Sequence, residues 1–307
     1  MVSGRADADG TSAAPGCSAV TADDLTEFLA IRPRLFGIAY RMLASVTEAE
    51  DVVQDAWLRW QGTDRRKVRN AAAFLTTTTT RLAVNAAGSA RALRERYVGP
   101  WLPEPVDTSA DPTLGAERAE ALDAAVLLLL ERLTPSERAA YVLREAFDYS
   151  HRQVAEVLDI TEANARQLLS RARRHLVSHR SAPAPRSERR RLVETFVAAA
   201  RDGNLARLEQ LLAEDVVARS DGGGRVAAAR KDVNGPARVT NLLDNVWRKY
   251  WRTSNFRVVE ANGDPALLVA NADGTPEAVV CLDATDQGIS LLLIVVNPDK
   301  LRQFAAG

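Results

Sequence analysis

The sequence predicts a mainly α protein: two helical domains, the second a helix-turn-helix, followed by a C-terminal α+β domain with an antiparallel sheet. Three observations carry this. A basic amphipathic stretch, Thr161–Leu176, follows a short helix across a tight break. A proline-rich stretch, Ser181–Arg186, sets residues 187–307 apart from everything before it. Within 187–307, helical patterning comes first and four apolar runs divided by turn residues come last.

Thr161–Leu176 has one apolar stripe (Ala165, Leu168, Leu169, Ala172, Leu176) and one cationic, donor-rich face. That face carries Asn164, Arg166, Gln167, Ser170, Arg171, Arg173 and Arg174, and Thr161 is placed to cap the helix start. Two helices lead into it. Thr134-Pro135-Ser136-Glu137 and Ser150-His151-Arg152-Gln153 are both capping boxes, in which the side chains of the first and last residues satisfy the free N–H groups of a helix start. The break Leu158-Asp159-Ile160-Thr161 is as short as a helix-turn-helix turn must be, with Asp159 tolerating a left-handed conformation. Short helix, tight turn and basic helix make the geometry of a major-groove reader. A solvated basic face is the plain alternative for such a helix taken alone.

The order upstream is also helical. Thr21–Trp60 reads as two packed helices, the second opening at a capping box Thr47-Glu48-Ala49-Glu50. Val52, Val53, Ala56 and Trp57 point inward, whereas Glu50, Asp51, Gln54 and Asp55 form an acidic outer face suited to a basic partner. A basic loop, Asp64–Asn70, precedes a helix from Ala71 to Arg96. Five threonines in a row at its middle have stiff side chains and low helix propensity, so packing must hold it. Arg81 and Asn85 lie one turn apart and reach outward together. Phe74 beside basic residues suits either base stacking on single-stranded DNA or ordinary core packing.

Whole-chain composition narrows the function classes. The 307 residues carry 40 Lys+Arg and 40 Asp+Glu, so nucleic-acid binding has to come from local charge. Arg65–Tyr97 is strongly basic, with Glu95 its only acid, and Pro100–Leu130 is acidic, with Arg118 its only base. Cys17 and Cys281 are far apart, which supports neither a disulfide framework nor a metal site. No apolar run reaches the ~20 residues of a membrane span, and the first twenty residues read as a disordered tail without a signal peptide. A cytoplasmic location is expected.

EDVVQDAWLRW, the threonine- and arginine-bearing helix ending in RERYVGPWLPEP, the acidic linker and the basic helix-turn-helix together resemble a bacterial sigma factor of the extracytoplasmic-function group in the sigma-70 family. The resemblance covers Thr21–Arg180. It implies a region 2 at 21–99, a linker at 100–115 and a region 4 at 116–180, with core RNA polymerase (β′ clamp and β flap) and promoter DNA as partners. By that likeness Asp51, Gln54, Asp55 and Trp57 grip the polymerase clamp. Arg69, Phe74, Arg81 and Asn85 fall where the −10 element is melted and read. Asn164, Arg166, Gln167, Ser170, Arg171, Arg173 and Arg174 fall on the −35 reader. Three prolines in Pro100–Pro105 forbid a helix and hold the chain extended, either along a path otherwise open to RNA or against a basic domain.

Residues 187–307, after the hinge at 181–186, resemble a SnoaL-like domain, which implies a curved sheet wrapped by helices around a pocket. Helices are expected at Glu188–Ala200, Asn204–Leu212 and Pro236–Trp251, and strands at Asn255–Ala261, Ala266–Ala270, Glu277–Asp283 and Ile289–Val296. Asp221-Gly222-Gly223-Gly224-Arg225 and Asn297-Pro298-Asp299-Lys300-Leu301 resemble motifs of the sigma subgroup that carries this domain, where lysine usually follows the glycines. The glycines suit either a tight turn or close approach to another surface. The expected role is regulatory, with the domain docked on the sigma regions. A small-molecule sensor or an isomerase-like activity is the alternative, with Asp221, Asp244 and Arg230 beside Trp247 and Trp251 around a pocket. The domain contains no histidine, and neither catalytic residues nor cofactors are expected.

Overall fold

The computed structural model describes residues 22–109, 123–177 and 184–305. The expected tail at 1–20, the linker beyond Ser109, both ends of the expected region 4 (116–122 and 178–180) and the start of the hinge at 181–183 lie outside the described residues. Helix α1 (Ala22–Leu43), α2 (Val46–Gln61) and α3 (Ala71–Arg94) form the first helical unit. Helix α4 (Ala124–Leu130), α5 (Pro135–Tyr141, continuing as a wide turn through Ala146), α6 (His151–Leu158) and α7 (Glu162–Val177) form the second. Both capping boxes are present, with each serine or threonine and its Glu or Gln bonding reciprocally. Asp159 is left-handed at φ 57°, ψ 50°, so the turn before α7 closes without glycine. The start of α2 departs from expectation: its cap is Ser45, two residues before Thr47, because the Ser45 hydroxyl accepts from the Glu48 N–H. In α3 the threonines divide. Thr76, Thr79 and Thr80 are buried, and the Thr80 hydroxyl donates to the Thr76 carbonyl at 2.8 Å. One continuous apolar core runs through both helical units, from Phe28 to Leu176.

The C-terminal domain begins with α8 (Arg186–Arg201) and α9 (Leu205–Gln210), and adds α10 (Pro236–Val246), which continues as a wide turn through Trp251. Six strands follow the order β2-β1-β6-β5-β4-β3, with β1 (Leu212–Asp221), β2 (Val233–Asn234), β3 (Asn255–Ala261), β4 (Asp264–Ala270), β5 (Pro276–Thr285) and β6 (Gly288–Val295). The four expected strands are there. β1 is an additional strand, starting where the expected helix Asn204–Leu212 ends, and it joins β6 parallel, which makes the sheet mixed rather than antiparallel. Bulges in β4–β5 and β5–β6 bend it.

Alternate residues of the central strands serve two cores. Leu267, Val269, Val280, Leu292 and Ile294 pack under the helices. Leu268, Val279, Leu293 and Val295 point the other way and are covered by Leu102, Ala124, Leu301 and Phe304. Burial on both faces is why these strands read as continuous apolar runs rather than alternating ones.

Candidate functional site

On α7 the apolar stripe is buried and Asn164, Arg166, Gln167, Ser170, Arg171, Arg173 and Arg174 are all exposed. The arginines are preset by acids: Arg166 on Glu162 (2.5 Å), Arg173 on Glu145 (2.7 Å) and Arg171 on Glu137 (3.2 Å). The Arg166 and Arg173 pairs are exposed on both sides and contribute little, so exchanging them for phosphate is cheap, whereas Glu137 beneath Arg171 is buried. On α2, Asp51, Gln54 and Asp55 are exposed, and half-buried Trp57 packs on Phe28 at 4.6 Å between ring centres.

The residues expected at the −10 element are less free. Arg69 is exposed, whereas half-buried Phe74 leans on Trp60 at 5.5 Å and joins the core. The Arg81 Nε donates to the Val157 carbonyl at 2.9 Å, capping the C-terminus of α6 in the other helical unit. Arg81 and Asn85 thus share with Asn164 and Arg171 a cleft of about 450 Å³ between the two units.

The two short motifs of the C-terminal domain meet on the chain that leaves α3. Asp221, fully buried, accepts from the Tyr97 hydroxyl (2.6 Å), the Leu102 N–H (2.9 Å), the Gly223 N–H (3.0 Å) and the Lys300 ammonium (2.7 Å). Lys300 also donates to the Leu102 carbonyl at 2.5 Å and lies 4.3 Å from the centre of the Trp101 ring. Burial holds the Lys300 ammonium below the usual lysine range, and the Asp221 carboxylate opposes this. Burial and then Asp221 push the Tyr97 phenol above its usual range. The Asn297 amide donates to the Tyr97 hydroxyl at 2.9 Å, and Arg225 pairs with Asp299 at 2.9 Å, tying one motif to the other. Gly223, at φ 60°, lies so close that a Cβ would be driven into the Asn297 amide. Gly222 is buried, Gly224 lies under Val98, Leu301 joins the buried seam, and exposed Pro298 opens a short turn.

Residues 100–109 form an extended strap between the domains. Its prolines fall where no N–H is needed, and the N–H groups of Leu102, Glu104 and Val106 each have a partner: Asp221, the Ala44 carbonyl and the Asn262 side chain. This part of the linker lies packed between the sheet and the first helical unit. Arg94 stacks on Trp101 at 3.7 Å from the ring centre, the ring that Lys300 also approaches, and bonds the Leu43 carbonyl and Glu131. Glu131 also accepts from buried Arg138 at 2.6 Å, and Arg138 donates to the Met42 carbonyl at 2.7 Å. Tyr97, Trp101, Glu104, Asn262, Arg94, Glu131 and Arg138 were not anticipated individually; the only signal was the motif RYVGPWLPEP, and its partners are distant in sequence.

Asp123 caps α4 through the Ala125 N–H (2.7 Å) and faces Asp264 and Asp283 across the seam. Burial, then Asp283 and Asp264, push its carboxyl up to about 6. A carboxyl raised in the folded state binds more protons there than in the unfolded chain, so this group lowers stability as pH rises from about 4 through 6. The thermal midpoint is expected to rise between pH 7.5 and pH 5. Asp123→Asn keeps the cap, raises stability at pH 7.5 by up to about 2 kcal/mol and flattens that part of the profile.

The pocket expected in the C-terminal domain exists between Asp244, Trp247, Trp251 and Phe256, but its volume of about 20 Å³ holds little more than one water. Asp244 there pairs with Arg248 at 2.8 Å. Asp221 is not in it, being part of the seam, and Arg230 is exposed.

Two family models match: "Sigma-70 region 2" over residues 28–92 and "Sigma-70, region 4" over residues 123–176. The chain is 33% identical over 292 residues to the ECF RNA polymerase sigma factor SigJ of Mycobacterium tuberculosis strain H37Rv, covering 90% of this chain and 93% of that one. It is 30% identical to the probable ECF RNA polymerase sigma factor SigI of the same species, over 88% and 92%. The crystal structure of M. tuberculosis SigJ superposes with a TM-score of 0.74 at 32% identity, over 91% of this chain and 98% of that one.

Proposed function

The chain belongs to the extracytoplasmic-function RNA polymerase sigma factors of the sigma-70 family, and on that premise we propose how its parts divide the work. As an alternative sigma factor it binds core RNA polymerase and directs promoter-specific initiation. In our reading Asp51, Gln54 and Asp55, with Trp57 behind them, grip the β′ clamp, and the helix-turn-helix unit meets the β flap. The exposed face of α7 reads the −35 element, and Arg69, Arg81 and Asn85 serve the −10 element. The protein works in the cytoplasm, where polymerase and promoter are; among the described residues no helix is long and apolar enough to cross a membrane.

The C-terminal domain is the regulator, and the observation that carries this is the seam. Asp221 and Lys300 bond both sides of Leu102 in the strap joining the two DNA-reading regions. The closed arrangement is a resting one. The −35 and −10 elements lie about 25 base pairs apart, roughly 85 Å at 3.4 Å per pair, whereas Asn85 and Asn164 line a single cleft. Reading both elements requires the regions to part. Regulation is favoured over catalysis because Asp221 is engaged in the seam and the cavity beside Asp244 has little room.

Promoter-directed run-off transcription with core polymerase tests the division. Arg166→Ala is expected to weaken −35 duplex binding about tenfold, 1.4 kcal/mol, and leave core binding unchanged. Asp51→Ala is expected to do the reverse. Identical behaviour of the two variants in both assays would refute the assignment.

A further inference from the structure

Helix α2 begins with a cap that its own sequence supplies only weakly: the Ser45 hydroxyl accepts from the Glu48 N–H at 3.4 Å. The stronger acceptor comes from the strap. The Glu104 carboxylate, in a residue only 6% exposed, accepts from the Val46 N–H at 2.8 Å and the Ser45 hydroxyl at 3.2 Å. A negative charge at the first turn also meets the positive end of the helix dipole. Glu104 is fixed by its backbone too, its N–H on the Ala44 carbonyl (2.9 Å) and its carbonyl on the Tyr40 hydroxyl (2.7 Å).

What holds the strap on either side of Glu104 belongs to the C-terminal domain. Leu102 is bonded by Asp221 and Lys300, and Val106 is bonded at both N–H and carbonyl by Asn262. The Asn262 amide also donates to the Tyr40 hydroxyl at 2.6 Å, closing the circuit back to Glu104.

We propose that Glu104 is a positioning residue for polymerase binding, setting the start of α2 from a strap that the docked C-terminal domain holds in place. Asp51 lies five residues beyond Val46, about 7.5 Å along the helix axis, so a shift of the capped turn is carried to the acidic face. The inference rests on the reading that this face grips the polymerase. It adds the route by which undocking reaches it.

The test uses the full chain and purified core polymerase. Glu104→Ala is expected to weaken core binding five- to tenfold, and Glu104→Gln, which keeps an acceptor oxygen, stays within about threefold. Lys300→Ala, whose parent side chain makes no hydrogen bond to α2, is expected to speed hydrogen exchange at the Val46 and Thr47 amides while the middle of α2 stays protected. If Asp51→Ala leaves core binding intact, the reading of α2 fails and the inference falls with it. If Asp51→Ala weakens binding and Glu104→Ala does not, or if Gln is as harmful as Ala, the positioning role alone is overturned. Unchanged exchange at Val46 and Thr47 in Lys300→Ala overturns the coupling, and this readout stands even where Glu104→Ala folds poorly.

Discussion

Lys300→Ala is expected to cost about 3–5 kcal/mol, because it leaves Asp221 buried with no counter-charge. Asp221 is fully buried and the Lys300 side chain is 11% exposed, so water cannot replace the ammonium. The Leu102 carbonyl loses its partner as well. Asp221→Asn has a comparable effect for the mirror reason, stranding the ammonium between Trp101 and the Leu102 carbonyl. The pair Asp221→Asn with Lys300→Met is expected to recover about half of the loss, since no orphan charge remains. Chemical unfolding of Asp221→Asn, Lys300→Met and the double variant gives the coupling directly. Run-off transcription by Lys300→Ala then gives the sign of regulation, since this variant undocks the domain without touching either DNA-reading face.

Arg94→Ala is expected to cost about 2–4 kcal/mol and to loosen the two helical units from each other. Arg94 touches α1 through the Leu43 carbonyl, the second unit through Glu131 and the strap through the Trp101 ring. Bonds to charged partners in such a half-buried place contribute about 1.5–3 kcal/mol each, and Arg138 retains part of the Glu131 interaction. The matching functional expectation is a gain. With the latch weakened, the free chain should bind a promoter fragment carrying both elements several-fold more tightly, while a −35 fragment alone binds as before. Lysine at position 94 keeps the charge but not the stack or the fork, and should fall between the two.

The local grammar of the chain was legible where one stretch carries all the physics. Two capping boxes, a left-handed aspartate and the buried stripe of α7 lie where the residues imply, because each depends on neighbours three or four positions away. Signals that span the chain were not legible. β1 contains exposed Glu214 and Asp215; its nearby partner β2 is only two residues long, and its main pairing is with β6, whose partners begin more than seventy residues later. Thr47 has the better capping pattern in sequence, but the start of α2 is set at Ser45 and shared with Glu104, which no local signal marks. Phe74 allowed two uses, and only the position of Trp60 decides for packing. The motifs at 221–225 and 297–301 were visible as motifs. Of their target, Tyr97 to Leu102, the sequence marks only the part from Pro100 on as extended, and the ion pair that joins the motifs is a property of the folded chain.

The order of synthesis gives the strap a further consequence. Its backbone groups at Leu102 and Val106 find their partners only once Asp221, Asn262 and Lys300 have been made. At the usual pace of about 5–20 residues per second, the ribosome needs roughly 6–25 seconds to travel from Leu176, where the match to region 4 ends, to Lys300. For that interval both DNA-reading regions are complete and leave the ribosome without the domain that covers the strap. The nascent chain therefore passes through an unrestrained form before it is closed by its own last residues, and a polymerase meeting it then meets a sigma factor not yet under control.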